Sequence, residues 1–441
     1  MSKLIFDGER AFKHLEKLAV GIGTRPSGSE AEREAADWIA SEFRALGLET
    51  KIEEFEVTTG RVISQKLDVL EPKMGEIPCE VMPLYGSTGP EGVTGELVYL
   101  ETYDEEYLTP DIEGKIILTS GRPQDSKKSY RMLSKYRPLA MIFIESAPRV
   151  LAKNLWGSHI VRERYVELPA LRVSFMDGRR LVQSGASKAR VVAETESKKV
   201  KSQNVIAELE GSERPEEIVV IGGHYDTVLE VSGAGDNAGG TAIAMELARV
   251  FKERGTKRTM RFVAWGCEEV GLLGSRDYAT KLRKASEEAK KENEFEDQTE
   301  LERTLLCVNL DVHGGFLGTN SSRTLGPPEL KASVMLLSKE TGTVFTVNDG
   351  VYSSDGTSLS AVGIPSISFS RGTPSNTFMH SIEDDISWLA PSALHDQGRF
   401  VEEYLARYVA EAAAFPFEWK IPDSQKKEIE DYFKRSMRGM P

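Results

Sequence analysis

The alternation of apolar and polar positions predicts two helices and a strand at the start of the chain. Asp7 is placed to cap a helix that runs through AFKHLEKLA. Ser29 and Glu32 form an S-x-x-E capping box before AADWIASEFRALG, so we expect a second helix that ends at Gly47. The following segment, LETKIEEFEV (48–57), alternates with the period of a β-strand.

Residues 59–199 have a different texture, with short β-like runs and few long amphipathic helices. This pattern is typical of a separate, β-rich module. The predicted strands are GELVYL (95–100), KIILTSG (115–121), AMIFIE (140–145) and LPALRVSF (168–175).

From residue 200 onward, apolar strands alternate with amphipathic helices. The segments are EIVVIGG (217–223), the helix GTAIAMELARVFKERG (240–255), MRFVAWG (260–266), LLCVNL (305–310) and IPSISFS (364–370). Buried apolar strands separated by helices favour a parallel sheet covered on both faces. We therefore predict an α/β fold with a mixed, mainly parallel central sheet flanked by helices.

These patterns divide the chain into four parts. Residues 1–58 and 200–415 are expected to build one core domain, residues 59–199 an inserted β-rich domain, and residues 416–441 a C-terminal helical tail. A chain of 441 residues is long enough for two or three domains.

Charge and composition exclude some classes of partner. The net charge of −13 argues against a general nucleic-acid binder. No stretch of about 18 apolar residues occurs, so we expect no membrane partner. Three cysteines, and a start without an apolar leader, predict a cytoplasmic protein. The oligomeric state is left open.

Acidic and imidazole side chains follow the ends of several predicted strands. In an open α/β sheet, ligands bind just beyond the carboxyl ends of the strands. Any one of these residues can be explained as a cap, but several buried charges at one edge are costly without compensation. A pair of divalent metal ions is the simplest compensation. The candidates are His224, Asp236, Glu268, Glu269, Asp311 and His380.

The chemistry of zinc suggests how these residues divide the work. Zinc binds imidazole nitrogen and carboxylate oxygen. The carboxylates of Asp236, Glu269 and Asp311, with one bridging hydroxide, would balance the charge of two zinc ions per chain. Cobalt or manganese accepts similar ligands. Asp236 lies centrally in the sequence and is the candidate bridge between the two ions.

Two further carboxylates have candidate roles in proton transfer and orientation. Glu268 and Glu269 are adjacent, and neighbouring side chains diverge on extended backbone. One can therefore bind metal while the other takes a proton from water and passes it to the leaving group. Asp226 shares a face with His224, where it would accept the second ring N–H. The alternative role of Asp226 is to cap the next turn.

The order of these residues resembles peptidase family M28, a family of zinc peptidases. The motifs are GGHYD (222–226), GAGDNAGG (233–240), CEEVGLLGS (267–275), NLDVHG (309–314) and HSIED (380–384). In addition, RPSGSEAEREAADWIASEFRALG (25–47) is similar to the opening helix of the family. The match spans about residues 200–400 and implies the zinc exopeptidase fold.

The resemblance also implies a role for each motif residue. It implies two ligand sets that share Asp236. One set is His224, Asp236 and Asp311, and the other is Asp236, Glu269 and His380. Glu268 would be the general base, and Asp226 would support catalysis by orienting His224.

The inserted region resembles a protease-associated (PA) domain. The similar segments are GELVYL, DIEGKIILTSG (111–121) and LPALRVSFMDGRRL (168–181). The Gly-Ala pair expected before the third strand is replaced by PLAMIFI, which departs from the pattern. In such peptidases, PA domains commonly lie over the active-site cleft and narrow it.

One catalytic role stays unassigned. Members of family M28 often supply a tyrosine that polarises the scissile carbonyl. Tyr352 lies close to the family's S-D-x-x-x-F stretch, but its offset from Ser354 and Asp355 departs from the pattern. We therefore favour a packing role for Tyr352.

The resemblance implies hydrolysis of peptide bonds, with the bridging hydroxide as nucleophile. An aminopeptidase is favoured because an acidic site suits the free ammonium group of a peptide. A carboxypeptidase with the same metal centre needs a basic cluster, for which the insert offers Arg131, Arg137, Arg162 and Arg164. M20-type amidohydrolysis, glutaminyl cyclisation and a non-catalytic, receptor-like binding protein are weaker alternatives, because the spacing fits M28 and both ligand sets are complete.

Overall fold

The computed structural model divides into two compact units. The first comprises Met1–Val57, Lys201–Met379 and Asp384–Pro441, and the second comprises Thr58–Val200 and His380–Glu383. None of the described helices is long and apolar enough to cross a membrane. The structure describes residues 5–82, 86–102, 104, 106, 108, 110–120, 133, 135–146, 148–153, 168–291, 298–372, 378–436 and 440–441.

The sheet of the first unit is mainly parallel. Arg214–His224 lies between Arg258–Trp265 and Thr304–Leu310 and is parallel to both. Thr304–Leu310 also pairs in parallel with Ser366–Gly372. Thr319–Leu325 joins the sheet antiparallel to Ser366–Gly372 and parallel to Thr346–Asp349. At the other side, residues 205–209 of the strand Lys188–Leu209 pair antiparallel with Arg258–Trp265.

Helices cover this sheet because its strands are apolar on both faces. Val219 and Ile221 belong to one buried cluster, whereas the alternating Ile218 and Val220 belong to another. The predicted mixed, mainly parallel sheet flanked by helices is thereby confirmed. The helices are Gly8–Glu16, Glu30–Ala45, Gly239–Arg254, Leu273–Lys291, Glu300–Arg303, Pro328–Thr341, Asp355–Ser360, Pro391–Leu405 and Asp423–Ser436, with π-helical turns at Lys17–Ile22, Ala234–Ala238 and Ala406–Ala410 and a 3₁₀ turn at Ile386–Trp388.

The predicted capping box is only half present. The Ser29 hydroxyl accepts a hydrogen bond from the N–H of Glu32 at 3.1 Å, as expected. The carboxylate of Glu32 does not complete the box. It instead accepts hydrogen bonds from the N–H of Gly28 and the hydroxyl of Ser202, because tertiary contacts with the sheet offer it buried donors.

The second unit contains a largely parallel sheet of its own. Val93–Leu100, Ile116–Thr119, Ala140–Ile144 and Ala170–Val173 pair in parallel in that order, and they coincide with the four predicted runs. The remaining elements are residues 58–71 of Glu49–Glu71, residues 188–200 of Lys188–Leu209, the strands Gly75–Ile77 and Glu80–Val81, the helix Phe175–Gln183 and the 3₁₀ turn Pro110–Ile112.

Candidate metal centre

Three neighbouring parallel strands bring predicted site residues to one edge of the first unit's sheet. His224 ends the strand Arg214–His224, Glu268 follows the strand Arg258–Trp265, and Asp311 follows the strand Thr304–Leu310. One ligand atom from each of these three side chains lies within 4.8 Å of the other two.

The Nε2 atom of His224 is the centre of this group. It lies 3.1 Å from Oδ1 of Asp236, 3.4 Å from Oδ1 of Asp311 and 4.0 Å from Oε2 of Glu268. His224, Asp236 and Asp311 are all buried. Hereafter the strand-end cluster denotes His224, Asp236, Glu268, Glu269 and Asp311.

Asp236 and Glu269 form a second pair of candidate ligands in the first unit, and their ligand atoms lie within 4.8 Å of each other. His380 belongs to residues 380–383, which cluster with the second unit. The part of His380 in a metal site therefore stays a prediction.

Asp226 is fully buried and contacts three residues of the strand-end cluster, His224, Glu268 and Glu269. Its Oδ1 atom accepts a hydrogen bond from the N–H of Glu268 at 2.9 Å, and Oδ2 accepts from Glu269 at 3.3 Å. The Oδ2 atom also accepts from the hydroxyl of Ser27 at 2.9 Å. The Nδ1 atom of His224 lies 3.5 Å from Oδ1 of Asp226. Asp226 thus contacts both the imidazole and the backbone that carries the two glutamates.

Two side chains without a predicted role, Asp384 and Asn237, hold the glycine-rich loop that carries Asp236. The Asp384 carboxylate accepts hydrogen bonds from the N–H groups of Gly235 and Asp236 at 2.8 and 3.0 Å. Asp384 is the last residue of the HSIED motif, and that motif position is the signal that identifies it.

Asn237 ties the same loop to the strand that precedes Asp311. Its Nδ2 donates to the carbonyl of Leu310 at 2.8 Å, and its Oδ1 accepts from the N–H of Val312 at 3.1 Å. The side-chain amide of Asn237 therefore binds the residues on both sides of Asp311. Asn237 itself directly follows Asp236 in the chain.

Two glycines allow the loop and the following helix to approach this strand end. A Cβ atom added to Gly223 would lie 2.5 Å from the carbonyl oxygen of Leu310, and one added to Gly240 would lie 2.2 Å from the same atom. Glycine at both positions permits this close packing, because side chains there would clash with backbone.

Unusual backbone conformations occur beside two site residues. Cys267, before Glu268, has a φ of 56°, and Val312, after Asp311, has a φ of 61°. Such conformations are sparsely populated for residues with a side chain and recur at functional sites. At Val312 the strain is held in place by hydrogen bonds to Asn237 and from the N–H of Arg371.

The electrostatics of the strand-end cluster are dominated by crowded carboxylates. Burial raises the pKa of Glu268 well above its usual range, and the charges of Glu269 and Asp311 raise it further. Burial lowers the pKa of His224, but the surrounding carboxylates, Glu268 first, bring it well above the ordinary value. The Oδ1 atom of Asp311 is buried and accepts no hydrogen bond from the described residues.

Tyr352 lies in the electric field of the same cluster, and its predicted packing role stays a prediction. Burial raises the pKa of Tyr352 well above its usual value, and the charges of Asp311, Asp236 and Glu268 raise it further. The residues that act on this hydroxyl are therefore the predicted metal ligands and base, although its offset in the sequence departs from the family pattern.

A second set of buried charges, Arg25 and Glu32, lies behind Asp226 and is called the N-terminal hub hereafter. Among the described residues, the acceptors of the Arg25 guanidinium are the backbone carbonyls of Leu18, Gly23, Tyr225, Ser232 and Gly233. Glu32 accepts from Gly28 at 2.6 Å and from Ser202 at 2.8 Å. Burial, followed by the charge of Asp226, raises the pKa of Glu32 to about 8.

An apolar pocket opens beside Asp236 in the first unit. The rings of Phe378 and Trp388 stack in its wall with centroids 4.0 Å apart. Arg371 also lines the cavity, but its guanidinium donates to the carbonyl of Gly315 and to Asn320. Other lining residues are Val312, Phe316, Leu317, Met379 and Leu389.

The basic cluster proposed for a carboxypeptidase is largely beyond what the structure describes. Arg131, Arg162 and Arg164 lie outside the described residues. Arg137 is described, and its guanidinium pairs with Glu113 at 2.5 Å on the surface of the second unit.

Comparisons with known proteins agree with the motifs. Residues 204–405 match the model of peptidase family M28. Aminopeptidase YwaD from Bacillus subtilis strain 168 is 27% identical over 419 residues, which cover 90% of this chain and 84% of that protein. Carboxypeptidase Q from Bos taurus is 27% identical over 286 residues, which cover 61% of this chain and 60% of that protein.

A solved structure extends the likeness to the three-dimensional fold. BSAP, a zinc aminopeptidase from Bacillus subtilis, superposes with a TM-score of 0.76 at 25% identity, covering 96% of this chain and all of that one. The family model, the sequence relatives and this fold agree with one another, so residues 204–405 form a peptidase family M28 domain, as the five motifs predicted, and the chain is a metallopeptidase.

Proposed function

We propose that the chain is an aminopeptidase that removes N-terminal residues with the help of two zinc ions. His224, Asp236 and Asp311 would hold one ion, and Asp236, Glu269 and His380 would hold the other, with Asp236 shared. The observation that carries the proposal is the convergence of Asp236 and Asp311 on the Nε2 atom of His224, from which their Oδ1 atoms lie 3.1 and 3.4 Å away.

The donor set fits such ions. Zinc prefers imidazole nitrogen and carboxylate oxygen, and both groups contain them. A buried oxygen of Asp311 accepts no hydrogen bond from the described residues, and crowded carboxylates repel one another unless a cation lies between them. When bound, zinc ions polarise the peptide carbonyl and lower the pKa of water. Cobalt or manganese would suit the same donors.

In this proposal, Glu268 carries out the proton transfers, and two other side chains orient and polarise the reacting groups. Glu268 takes a proton from the attacking water and delivers it to the nitrogen of the leaving amine. Asp226 fixes the orientation of His224 and holds the N–H groups of both glutamates. The Tyr352 hydroxyl donates to the carbonyl oxygen as negative charge develops there.

The apolar cavity favours a substrate with a large apolar N-terminal side chain. Its wall includes Asp236 and the stacked rings of Phe378 and Trp388, so a side chain bound there would lie beside the predicted ligands. We expect N-terminal Leu, Met and Phe to be released faster than Gly or Asp.

Digestion of a peptide library, followed by mass spectrometry, tests the proposal. An aminopeptidase shortens peptides from the amino end and leaves N-acetylated copies intact. Shortening from the carboxyl end, with acetylated peptides cleaved equally well, would overturn the aminopeptidase assignment and favour the carboxypeptidase activity named for the second relative.

The domain assignments also stand as proposals. We assign residues 59–199 to an inserted PA-like domain on the motifs GELVYL, DIEGKIILTSG and LPALRVSFMDGRRL. The core would then comprise residues 1–58 and 200–415, with a helical tail at 416–441.

A further inference from the structure

The C-terminal helix Asp423–Ser436 lies beyond the residues that match the family model. Its apolar side chains Ile429 and Phe433 are four residues apart, share one face and are buried in the first unit. The Arg276 guanidinium lies over the Phe433 ring, 5.6 Å from its centroid. This helix is therefore a packed part of the unit that contains the strand-end cluster.

The helix binds the loop that carries Tyr352 on both sides of that residue. Oε1 of Glu428 accepts a hydrogen bond from the N–H of Val351 at 3.0 Å. The hydroxyl of Tyr432 forms a hydrogen bond with the hydroxyl of Ser353 at 2.6 Å. The residue before Tyr352 and the residue after it are thus each held by one side chain of the C-terminal helix.

The same loop is held from the other side by the sheet and by the helix Asp355–Ser360. The N–H of Gly350 donates to the carbonyl of Thr324 at 3.1 Å, and the carbonyl of Tyr352 accepts from the N–H of Ser354 at 2.7 Å. The hydroxyl of Thr357 also donates to this carbonyl. Contacts from the C-terminal helix complete the enclosure of the loop.

Gly350 shows that the contact with Glu428 is close. Its φ is 111°, and an added Cβ atom would lie 2.9 Å from Oε1 of Glu428. Only glycine accommodates both this backbone and this approach without strain. A further contact, from the N–H of Gly326 to Oε1 of Gln425 at 2.8 Å, holds the start of the helix.

Tyr432 is also affected by a charge of the strand-end cluster. Burial raises the pKa of Tyr432 to about 12, and the charges of Glu268 and Asp355 raise it as well.

We propose that Glu428 and Tyr432 are positioning residues, which hold the Tyr352 hydroxyl in place for carbonyl polarisation. This inference rests on the proposed role of Tyr352. A hydrogen-bond donor stabilises the negative charge of a transition state best when its position is fixed before the reaction. Side chains that hold the loop of Tyr352 in one conformation would fix the position of its hydroxyl in this way.

Kinetics of full-length variants test the proposal. In Glu428→Ala and Tyr432→Phe, kcat is expected to fall about three- to tenfold, with KM nearly unchanged, because one exposed hydrogen bond is lost in each. Glu428→Gln keeps an acceptor for the N–H of Val351 and should restore kcat. Glu430→Ala is the matched control, since Glu430 is exposed and pairs with Lys434 on the same helix.

The Tyr352→Phe background separates positioning from general stability. If Glu428 and Tyr432 act through Tyr352, their substitutions lower kcat no further once its hydroxyl is absent. An equal fall in both backgrounds, or an equal fall for Glu430→Ala, would overturn the proposal.

Hydrogen exchange gives a readout that needs no activity. Peptides that contain Val351 and Ser353 should exchange faster in Glu428→Ala than in the wild type, at an unchanged Tm. Unchanged exchange would overturn the positioning role. If the wild type released no N-terminal residue while exchange still rose, the role proposed for Tyr352 would fail and the contact of the helix with the loop would stand.

Discussion

The strand-end cluster and the N-terminal hub are both buried and charged, yet they neutralise their charges by different means. In the hub, the guanidinium of Arg25 has five backbone carbonyls as acceptors. The carboxyl group of Glu32 has a backbone N–H and a hydroxyl as donors. In the cluster, carboxylate oxygens lie within 4.8 Å of each other in the pairs Glu268–Asp311 and Asp236–Glu269, and an oxygen of Asp311 accepts no hydrogen bond from the described residues.

The difference distinguishes a structural set of charges from a functional one. Backbone and hydroxyl partners satisfy the hub within the protein, so it holds the segment after His224 and the glycine-rich loop in place. Crowded acids can be stabilised only by a cation or a proton, which makes the cluster suited to binding metal. Asp226 belongs to the boundary, because it accepts from Ser27 on the hub side and from Glu268 on the cluster side.

Removal of metal is expected to have the largest effect, and to act on the strand-end cluster rather than on the N-terminal hub. Dialysis against a strong chelator is expected to abolish peptide cleavage and to lower Tm, because the carboxylates of the cluster then repel one another. Added zinc should restore both. Turnover that persists in protein shown to be metal-free by elemental mass spectrometry would mean that the cluster, like the hub, needs no cation.

Glu268→Gln should produce the next largest effect. We expect kcat to fall about 10³-fold, because the amide cannot take up the proton of the attacking water. Bound zinc should be retained, since the predicted ligands are untouched. Glu253→Gln is the control, as Glu253 is exposed and pairs with Arg249. Full activity in Glu268→Gln would assign the proton transfer to another residue.

Arg25→Lys tests the hub through stability. Lysine keeps the positive charge but presents fewer donors, so buried carbonyls lose partners, and the free energy of unfolding should fall by about 3 kcal/mol. Urea denaturation measures it. Arg33→Lys, at an exposed ion pair with Asp37, should change stability by less than about 0.5 kcal/mol. Equal effects of the two substitutions would remove the distinction between hub and surface.

Glu32→Gln should have the smallest effect, and one that depends on pH. The carboxyl group ionises near 4.5 in the unfolded chain and near 8 in the folded one, so folding retains a proton between these values. The resulting stability is present below pH 4.5 and is lost as pH rises towards 8. Between pH 4.5 and pH 6, the glutamine variant should therefore lose less stability than the wild type, by about 2 kcal/mol, at about 1.4 kcal/mol per pH unit. Parallel pH profiles from urea titrations of the two proteins would contradict this.

The sequence predicted the strands and the residues at their ends, because apolar runs and motif order are local signals. It missed the strand Thr319–Leu325, because its sequence TNSSRTL is polar. This strand joins the sheet by pairing with Ser366–Gly372, which is distant in the chain. Glu32 was predicted to complete a local cap, but a buried donor on Ser202 competes for its carboxylate. Such choices depend on which distant residues meet, and no local pattern contains that information.

The same limit explains the fate of Tyr352 and Asn237. The offset from Ser354 and Asp355 favours a packing role for Tyr352, whereas the charges that raise the pKa of its hydroxyl are those of Asp311, Asp236 and Glu268. Asn237 stands within a quoted motif, but its amide is matched to Leu310 and Val312, more than seventy residues away. The motif draws attention to Asn237, but its hydrogen bonds with the strand end are visible only in the folded structure.

The double attachment of Asn237 ties the backbone on both sides of Asp311 to the residue that follows Asp236. We therefore expect an ion of different radius to find little adjustment on the aspartate side of the pocket. Glu269 sits on a turn outside this brace, and its longer side chain has more torsional freedom. Attempts to redirect the enzyme towards a larger ion are best aimed at the turn that carries Glu269, leaving the asparagine untouched.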